Sequence, residues 1–258
     1  MRYPGDVKDD HTDFQTPLTS YKCLELPDIS VYQGQWKNNK RHGLGRIVYL
    51  DGGIYEGTWA DDVPSGYGRV IRRNGDMYEG YIKDYKAHGQ GSLVSLEGYR
   101  YNGSWVDDKK DGEGEEYIEN SMFMYRGQFE NNKYHGKGLL KLEDGRVFEG
   151  TFVEGKFTGQ GIYFGPSSDE IHEQYEGEFV DWKKHGKGVF QLSDGSRFEG
   201  DFANDVPEGY GEFQWPDGTI SRGLWKNGKQ DGIGEEINPD GVKREGEWVD
   251  GKWKRWLN

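Results

Sequence analysis

Apolar and small residues recur in one pattern along most of the chain. Residues 175–197, YEGEFVDWKKHGKGVFQLSDGSR, and residues 198–220, FEGDFANDVPEGYGEFQWPDGTI, carry aromatic, Gly, aromatic, Gly-x-Gly and Asp-Gly at the same offsets, a period of 23. A period of that length is the signature of a repeat array. Units open at Tyr32, Tyr55, Tyr78, Tyr101, Tyr125, Phe148, Tyr175, Phe198, Ser221 and Arg244. The first stretch of each unit alternates. Tyr55, Gly57 and Trp59, or Tyr101, Gly103 and Trp105, take one face of a strand, and residues such as Glu56 and Glu176 take the other. A second strand begins at Gly-x-Gly. The pattern predicts two short strands per unit and no helix.

The fourth unit has extra length near Asn120-Ser121 and the sixth near Gly165-Pro166-Ser167-Ser168. Both insertions fall where other units carry Asx-Gly, such as Asp51-Gly52, Asn74-Gly75 or Asp194-Gly195. Insertions collect in loops, and Asx-Gly is the preferred pair of a tight hairpin turn, so the turn is placed here. The Gly-x-Gly pairs are Gly43/Gly45, Gly66/Gly68, Gly89/Gly91, Gly112/Gly114, Gly136/Gly138, Gly159/Gly161, Gly186/Gly188, Gly209/Gly211 and Gly232/Gly234. Glycine weakens a strand, so its use at fixed offsets implies that something packs over it. Neighbouring aromatic rings lying flat across all of these bare positions would account for them. The predicted fold is all-β, an elongated single-layer antiparallel sheet of consecutive hairpins. Nine two-strand units would span roughly 85 Å, curved by strand twist. Residues 1–31 stand outside the repeat as an extended tail, read as a loose segment, an edge cap or a docking segment. Residues 32–258 form the array, with a truncated last unit.

Composition sharpens this. Only 33% of residues are hydrophobic, too few for a thick two-layer core, while Gly is 41 of 258 and aromatics reach 15%. A net charge of −13 disfavours nucleic acid and a broad anionic membrane surface. One cysteine, Cys23, excludes an internal disulfide and fits a reducing compartment. With no signal peptide and no apolar membrane span, a soluble intracellular protein is expected.

The recurring pattern YxGxWxxxxxxGxGxxxxxxDG resembles the MORN repeat (membrane occupation and recognition nexus) over residues 32 to about 254. Departures are Ile82 for the second aromatic of the third unit, Ser221 opening the ninth, and the short tenth, REGEWVDGKWKRWLN. Repeats three and nine are expected to pack less tightly, and Trp253 and Trp256 to cap the far edge. The resemblance implies a scaffold. Similar proteins include radial-spoke head proteins of cilia and flagella, links between membranes and cytoskeleton, binders of a myosin tail, and companions of kinase or methyltransferase domains.

No motif reads as an active, cofactor or metal site. Residues 150–157, GTFVEGKF, and 223–230, GLWKNGKQ, approach a phosphate-binding loop, but both lack the final Ser/Thr and neither precedes a helix. Residues 107–112, DDKKDG, place Lys109 where a calcium loop needs oxygen. His42, His88, His135 and His185 share one offset in alternate units. They fall roughly 19 Å apart, too far to share an ion, so they read as turn residues or as a row of partner contacts. The basic end, Lys252 to Trp256, reads as a cap or as a membrane contact.

The sequence therefore predicts a non-catalytic scaffold or adaptor, with no cofactor. It would bind a protein partner within a large assembly, a ciliary or flagellar axoneme or the cytoskeleton. Alternatives are a lipid-associated membrane–cytoskeleton tether and a regulatory subunit of a kinase. The candidate contacts are Tyr55, Trp59, Tyr101, Trp105, Tyr125, Phe129, Tyr175, Phe179, Phe213 and Trp215.

Overall fold

The computed structural model describes residues 19–26, 30–166 and 172–257. Two units are delimited, Met1–Leu96 with Trp105–Asp108, and Glu97–Ser104 with Lys109–Asn258. The described residues contain strands and no helix. The first unit holds β1 (Thr19–Glu25), β2 (Val31–Lys37), β3 (Lys40–Val48), β4 (Ile54–Ala60), β5 (Val63–Ile71), β6 (Met77–Lys83) and β7 (Lys86–Val94). Strand β8 (Tyr99–Val106) contributes to both units. The second holds β9 (Lys109–Ile118), β10 (Met124–Glu130), β11 (Lys133–Lys141), β12 (Val147–Val153), β13 (Lys156–Phe164), β14 (Glu173–Val180) and β15 (Lys183–Leu192). It continues with β16 (Arg197–Ala203), β17 (Val206–Gln214), β18 (Ile220–Lys226), β19 (Lys229–Ile237), β20 (Lys243–Val249) and β21 (Lys252–Trp256). In each unit, consecutive strands pair antiparallel into an open sheet of hairpins. Within the expected tail, Thr19–Glu25 pairs with β2 as an edge strand. Residues 1–18 and 27–29, and the insertion from Ser167, lie outside the described residues.

The register aligns glycine on glycine. In the first unit Gly34 faces Gly45, Gly45 faces Gly57, Gly57 faces Gly68 and Gly68 faces Gly80. In the second the same ladder runs from Gly114 through Gly127, Gly138, Gly150 and Gly161 to Gly177, Gly188 and Gly200. The opening tyrosine of a repeat lies across one such pair. A methyl added at Gly57 would stand 2.6 Å from the Tyr55 hydroxyl, and one at Gly68 would stand 2.5 Å from the Tyr55 ring. The hydroxyl then donates to the carbonyl three residues on: Tyr55 to Thr58 at 2.6 Å, Tyr78 to Tyr81 at 2.7 Å, Tyr125 to Gln128 at 2.8 Å.

The expectation that all Gly-x-Gly positions carry rings is corrected. The first glycine of each pair sits where the hairpin register shifts, and its φ is positive: Gly66 at 91°, Gly112 at 100°, Gly186 at 56°. It is the residue that makes a β-bulge. A methyl there would meet the side chain at the middle of the first strand, such as Thr58 or Glu178, or at Gly89 the Tyr81 side chain of the opposite face, and not the opening ring of the repeat. Only the second glycine and its first-strand partner lie beneath a ring.

Each repeat contains two kinds of turn. The Asx-Gly position is a three-residue loop, as in Leu50-Asp51-Gly52, closed by Tyr49 N–H to Gly53 O at 2.8 Å and Gly52 N–H to Tyr49 O at 3.0 Å. The Asp51 carboxylate accepts from the Gly53 N–H at 2.9 Å. The two-residue turn lies elsewhere, between the strands of one hairpin. Both of its residues have positive φ: Asn38 and Asn39, Asp61 and Asp62, Asp107 and Asp108, Asn131 and Asn132. That is the type I′ geometry Asn and Asp tolerate.

This turn ties most hairpins to the one before. The second turn residue donates its N–H backwards: Asp62 to Arg41 O at 2.9 Å, Asp108 to Ala87 O at 3.0 Å, Asp205 to Lys184 O at 3.0 Å. Its side chain accepts in return from the Arg41, Ala87 or Lys184 N–H at 2.9, 2.8 and 2.9 Å. Where the earlier repeat has Pro64 or Pro207 there is no N–H to offer. There the later residue is Tyr85 or Gly228, which has no such acceptor.

The two roles of glycine make opposite demands on substitution. Gly186→Asn is expected to be milder than Gly186→Ala, because Asn tolerates left-handed φ and Ala costs about 1–2 kcal/mol there. At Gly188, where any side chain strikes Tyr175, Asn is expected to be no better than Ala, each costing about 1–3 kcal/mol. Urea denaturation of the four variants checks this, and the same Asn/Ala order at both sites would contradict it.

Candidate partner-binding surface

The expected contact residues do not form a free face. Tyr55, Trp59, Tyr101, Trp105, Tyr125, Phe129, Tyr175 and Phe179 are all buried, between 0 and 6% exposed. The opening rings Tyr32, Tyr125, Tyr175 and Phe198 are each wedged edge-on between the second aromatic of their own repeat and that of the next. Tyr32 meets Trp36 at 5.2 Å and Trp59 at 5.3 Å. Tyr125 meets Phe129 at 5.0 Å and Phe152 at 5.3 Å, and Tyr175 meets Phe179 and Phe202, both at 5.0 Å. Such edge-to-face pairs add about 0.5–1.5 kcal/mol each beyond area burial. The tryptophans also bond backwards: Nε1 of Trp59, Trp105 and Trp225 donates to Gly45 O, Gly91 O and Gly211 O at 3.2, 3.1 and 3.1 Å. The rings are thus the core, and placing the partner on these eight is corrected. Phe213 is half-buried and Trp215 is exposed.

Repeat three is closed at its substituted position, whereas repeat nine opens a pocket beside Ser221. Ile82 is buried in place of the aromatic. Ser221 is buried too, and the Gln230 amide lies over Gly234, where other repeats have a ring. At the end of the second unit, Trp256 packs on Trp248 at 6.1 Å while Trp253 stays half exposed.

The opposite face carries the middle residue of each Gly-x-Gly and the residue after each first-strand glycine. In the first unit these include Leu44, Tyr67 and Tyr81; in the second, Tyr210, Leu224 and Ile233. All are large and roughly half exposed. Tyr67 pairs across the ladder with Tyr81, and Tyr210 with Leu224. Beside them runs a charged row. In the first unit it is self-neutralised, as in Arg69–Glu79 at 2.8 Å. In the second unit the row alternates acid with apolar from Leu139 through Glu149, Ile162, Glu176 and Val189 to Glu199, and beside Tyr210 and Leu224 it is again neutralised, Arg222 pairing with Glu212 at 2.6 Å.

One polar cluster enters the ring face. Glu116 is buried and accepts from Tyr99 and Tyr134, each at 2.6 Å, and from the Lys110 ammonium. Lys110 Nζ lies 5.4, 5.3 and 5.2 Å from the Tyr99, Tyr101 and Phe129 rings. Nothing in the spacing announced this cluster beyond a Glu at an offset that is otherwise mostly apolar. The histidines act at turns: the Asp61 N–H reaches His42 Nδ1 at 3.4 Å, and His88 faces Asp107 at 3.8 Å. Among the described residues Glu130, His135 and Glu154 bring ligand atoms within 4.8 Å of one another. Glu154 is already held there by Lys133 at 2.5 Å.

An open array of repeated β-hairpins, each stacked on its neighbours, defines the class of protein. The MORN repeat profile matches residues 32–54, 55–77, 78–95, 101–122, 125–145, 148–170, 175–197, 198–220 and 222–243, and the chain belongs to that family. No curated protein matches. Among solved structures, the chain is similar to the SAS-4 (dCPAP) TCP domain of Drosophila melanogaster in complex with a proline-rich motif of Ana2 (dSTIL). The identity is 14% over 87% of this chain and 88% of that one, at a TM-score of 0.23. A streptogramin B lyase matches at 12% identity over 88% and 67%, at a TM-score of 0.16. Likenesses this low carry no argument about function.

Burial lifts the phenols of Tyr55, Tyr78, Tyr101, Tyr125 and Tyr175 well above the ordinary tyrosine value. Burial, and then the Glu116 carboxylate, does the same for Tyr99 and Tyr134. A raised folded value means that the unfolded chain loses these protons first. The stability they contribute is complete below about pH 10 and is lost as pH rises from there toward the folded values. Tyrosinate absorbance of the buried rings is expected to appear together with loss of the β-sheet circular dichroism signal. Full ionisation while the sheet persists would contradict the ring packing.

Proposed function

We propose that the protein is a non-catalytic scaffold that holds a protein partner on the face of its sheets opposite the rings. The observation that carries this reading is the set of half-exposed apolar residues there: Leu44, Tyr67 and Tyr81 in one unit, Tyr210, Leu224 and Ile233 in the other. Contiguous exposed apolar surface marks an interaction site, and binding energy concentrates in a few aromatics. Farther along the same face of the second unit, the acidic Glu149 and Glu176 favour a partner with basic side chains. An axonemal or cytoskeletal assembly is the setting we favour, on family likeness and acidic charge.

A second reading, a membrane tether, is supported by β21, where Lys252, Trp253, Lys254 and Arg255 are all exposed. Cations beside an exposed indole suit a lipid interface.

The test is affinity purification with wild type and two variants, Tyr67→Glu/Tyr81→Glu and Tyr210→Glu/Leu224→Glu, each checked for an unchanged melting temperature. Partner capture is expected to fall at least about tenfold in one or both. A Lys252→Glu/Lys254→Glu/Arg255→Glu variant is expected to retain the partner. If that variant alone loses the partner and anionic-vesicle binding together, the tether reading replaces the scaffold reading.

A further inference from the structure

The residue two before the first bulge glycine of a repeat points onto the ring face. In three repeats it is a cation over rings. Arg41 stands 4.5 Å from the Trp59 ring, and Lys110 is caged as described, with Glu116 as its counter-ion. Lys184 lies 4.1 Å from Phe190 and 5.4 Å from Tyr163, and burial among these rings pulls its pKa down. A cation over several ring faces is stabilised by their quadrupoles, more so when it is desolvated. The fold thus sets rings around its own cations, with a carboxylate beside Arg41 (Asp62, 3.2 Å) and beside Lys110 (Glu116).

The ninth repeat sets rings in this way without the cation. Its opening ring is replaced by Ser221, which leaves a pocket lined by Phe213, Trp215, Trp225 and Trp248. The Trp215 indole is drawn to the gap by a bond from Nε1 to Ser221 Oγ at 3.0 Å. Phe213 lies 4.5 Å from Trp215 and 6.1 Å from Trp225. Glu236 lines the same pocket and is the strand partner of Ser221. It stands at the offset that Glu116 holds in the fourth repeat. There the lysine offset is filled by Lys110; here it is filled by the uncharged Gln230, which lines the pocket and whose amide, lying over Gly234, donates to the Arg222 carbonyl at 3.4 Å. Among the described residues no ion pair reaches Glu236. The one lysine in the lining, Lys229, is committed to Asp250 at 2.8 Å.

We propose that this pocket binds an alkylammonium group supplied from outside, as a lysine or methylated lysine side chain of a protein or as a small quaternary ammonium compound. The rings supply the cation-binding faces, Glu236 supplies the counter-charge, and Ser221 supplies the room. The other repeats exclude such a ligand because a Tyr or Phe occupies the place of Ser221, or because an internal cation already lies over the rings.

The test titrates the full chain with choline, with a short peptide bearing trimethyllysine, and with 3,3-dimethylbutan-1-ol, the uncharged isostere of choline. Indole N–H resonances of Trp225 and Trp248 and calorimetry serve as readouts. Choline or the peptide is expected to shift these resonances and to bind about tenfold more tightly than the alcohol. Tighter binding of the peptide assigns the ligand to a protein side chain, and tighter binding of choline assigns it to a small molecule. Glu236→Gln is expected to weaken binding about tenfold. Ser221→Tyr, which restores the ring of the other repeats, is expected to abolish it with the melting temperature kept or raised. Equal binding of the alcohol and choline, or unchanged binding by Glu236→Gln, would overturn the proposal.

Discussion

The structure depends on one close approach, an aromatic ring laid across two glycines that face each other on adjacent strands. A side chain at either glycine would occupy the ring's place, as the 2.6 Å approach between a methyl at Gly57 and the Tyr55 hydroxyl shows. With the ring pressed to bare backbone, its edge is free to meet the second aromatic of its own repeat and of the next. The same contact that closes one hairpin therefore welds it to its neighbour. This is how an open sheet buries large side chains to a few per cent exposure without a second layer. Stability in such an array is a sum over repeats and their interfaces. A defect in one ring–glycine contact is felt in the two repeats that share it.

The outer border is held by a different device. The two-residue turns of most hairpins are stitched backwards by a backbone N–H and, where the second turn residue is Asp or Asn, by a returning side-chain bond. Opposite Pro64 and Pro207 the later turn residue is Tyr85 or Gly228, so no carboxylate or amide acceptor is stranded there; Gly155, Trp182 and Gly251 lack that acceptor too and keep only the backbone bond. The alternation of His42 and His88 with other polar residues belongs to the same border. These side chains face the first turn residue of the following hairpin and need no metal to explain them.

The repeat, its two strands, the Asx-Gly loop and the placing of glycine under rings were all legible in the sequence, because each leaves a residue at a fixed offset. Three things were not. The first glycine of Gly-x-Gly looks like the second, yet one supplies a positive φ and the other an empty surface; composition cannot separate these. The two-residue turns were signalled by Asn38-Asn39, Asp61-Asp62 and Asp107-Asp108 but were masked by the stronger Asx-Gly signal. The rings were misplaced as partner contacts, on the premise that one layer cannot bury them. Ring-on-ring and ring-on-backbone packing removes that premise and moves the exposed apolar surface to the other face. The Glu116 cluster and the Ser221 pocket became meaningful only once the register showed which offsets share a face.

A double-mutant cycle between Gly188 and Tyr175 tests the central contact most directly. Nature supplies the form of the second change, since the ninth repeat carries Ser221 where Tyr175 stands in the seventh. Gly188→Ala should be costly in the parent chain and nearly neutral once Tyr175→Ser has removed the ring. The resulting coupling should fall within about 1–3 kcal/mol by urea denaturation. Additive effects, with no coupling beyond experimental scatter, would mean that the glycines are not there to seat the rings.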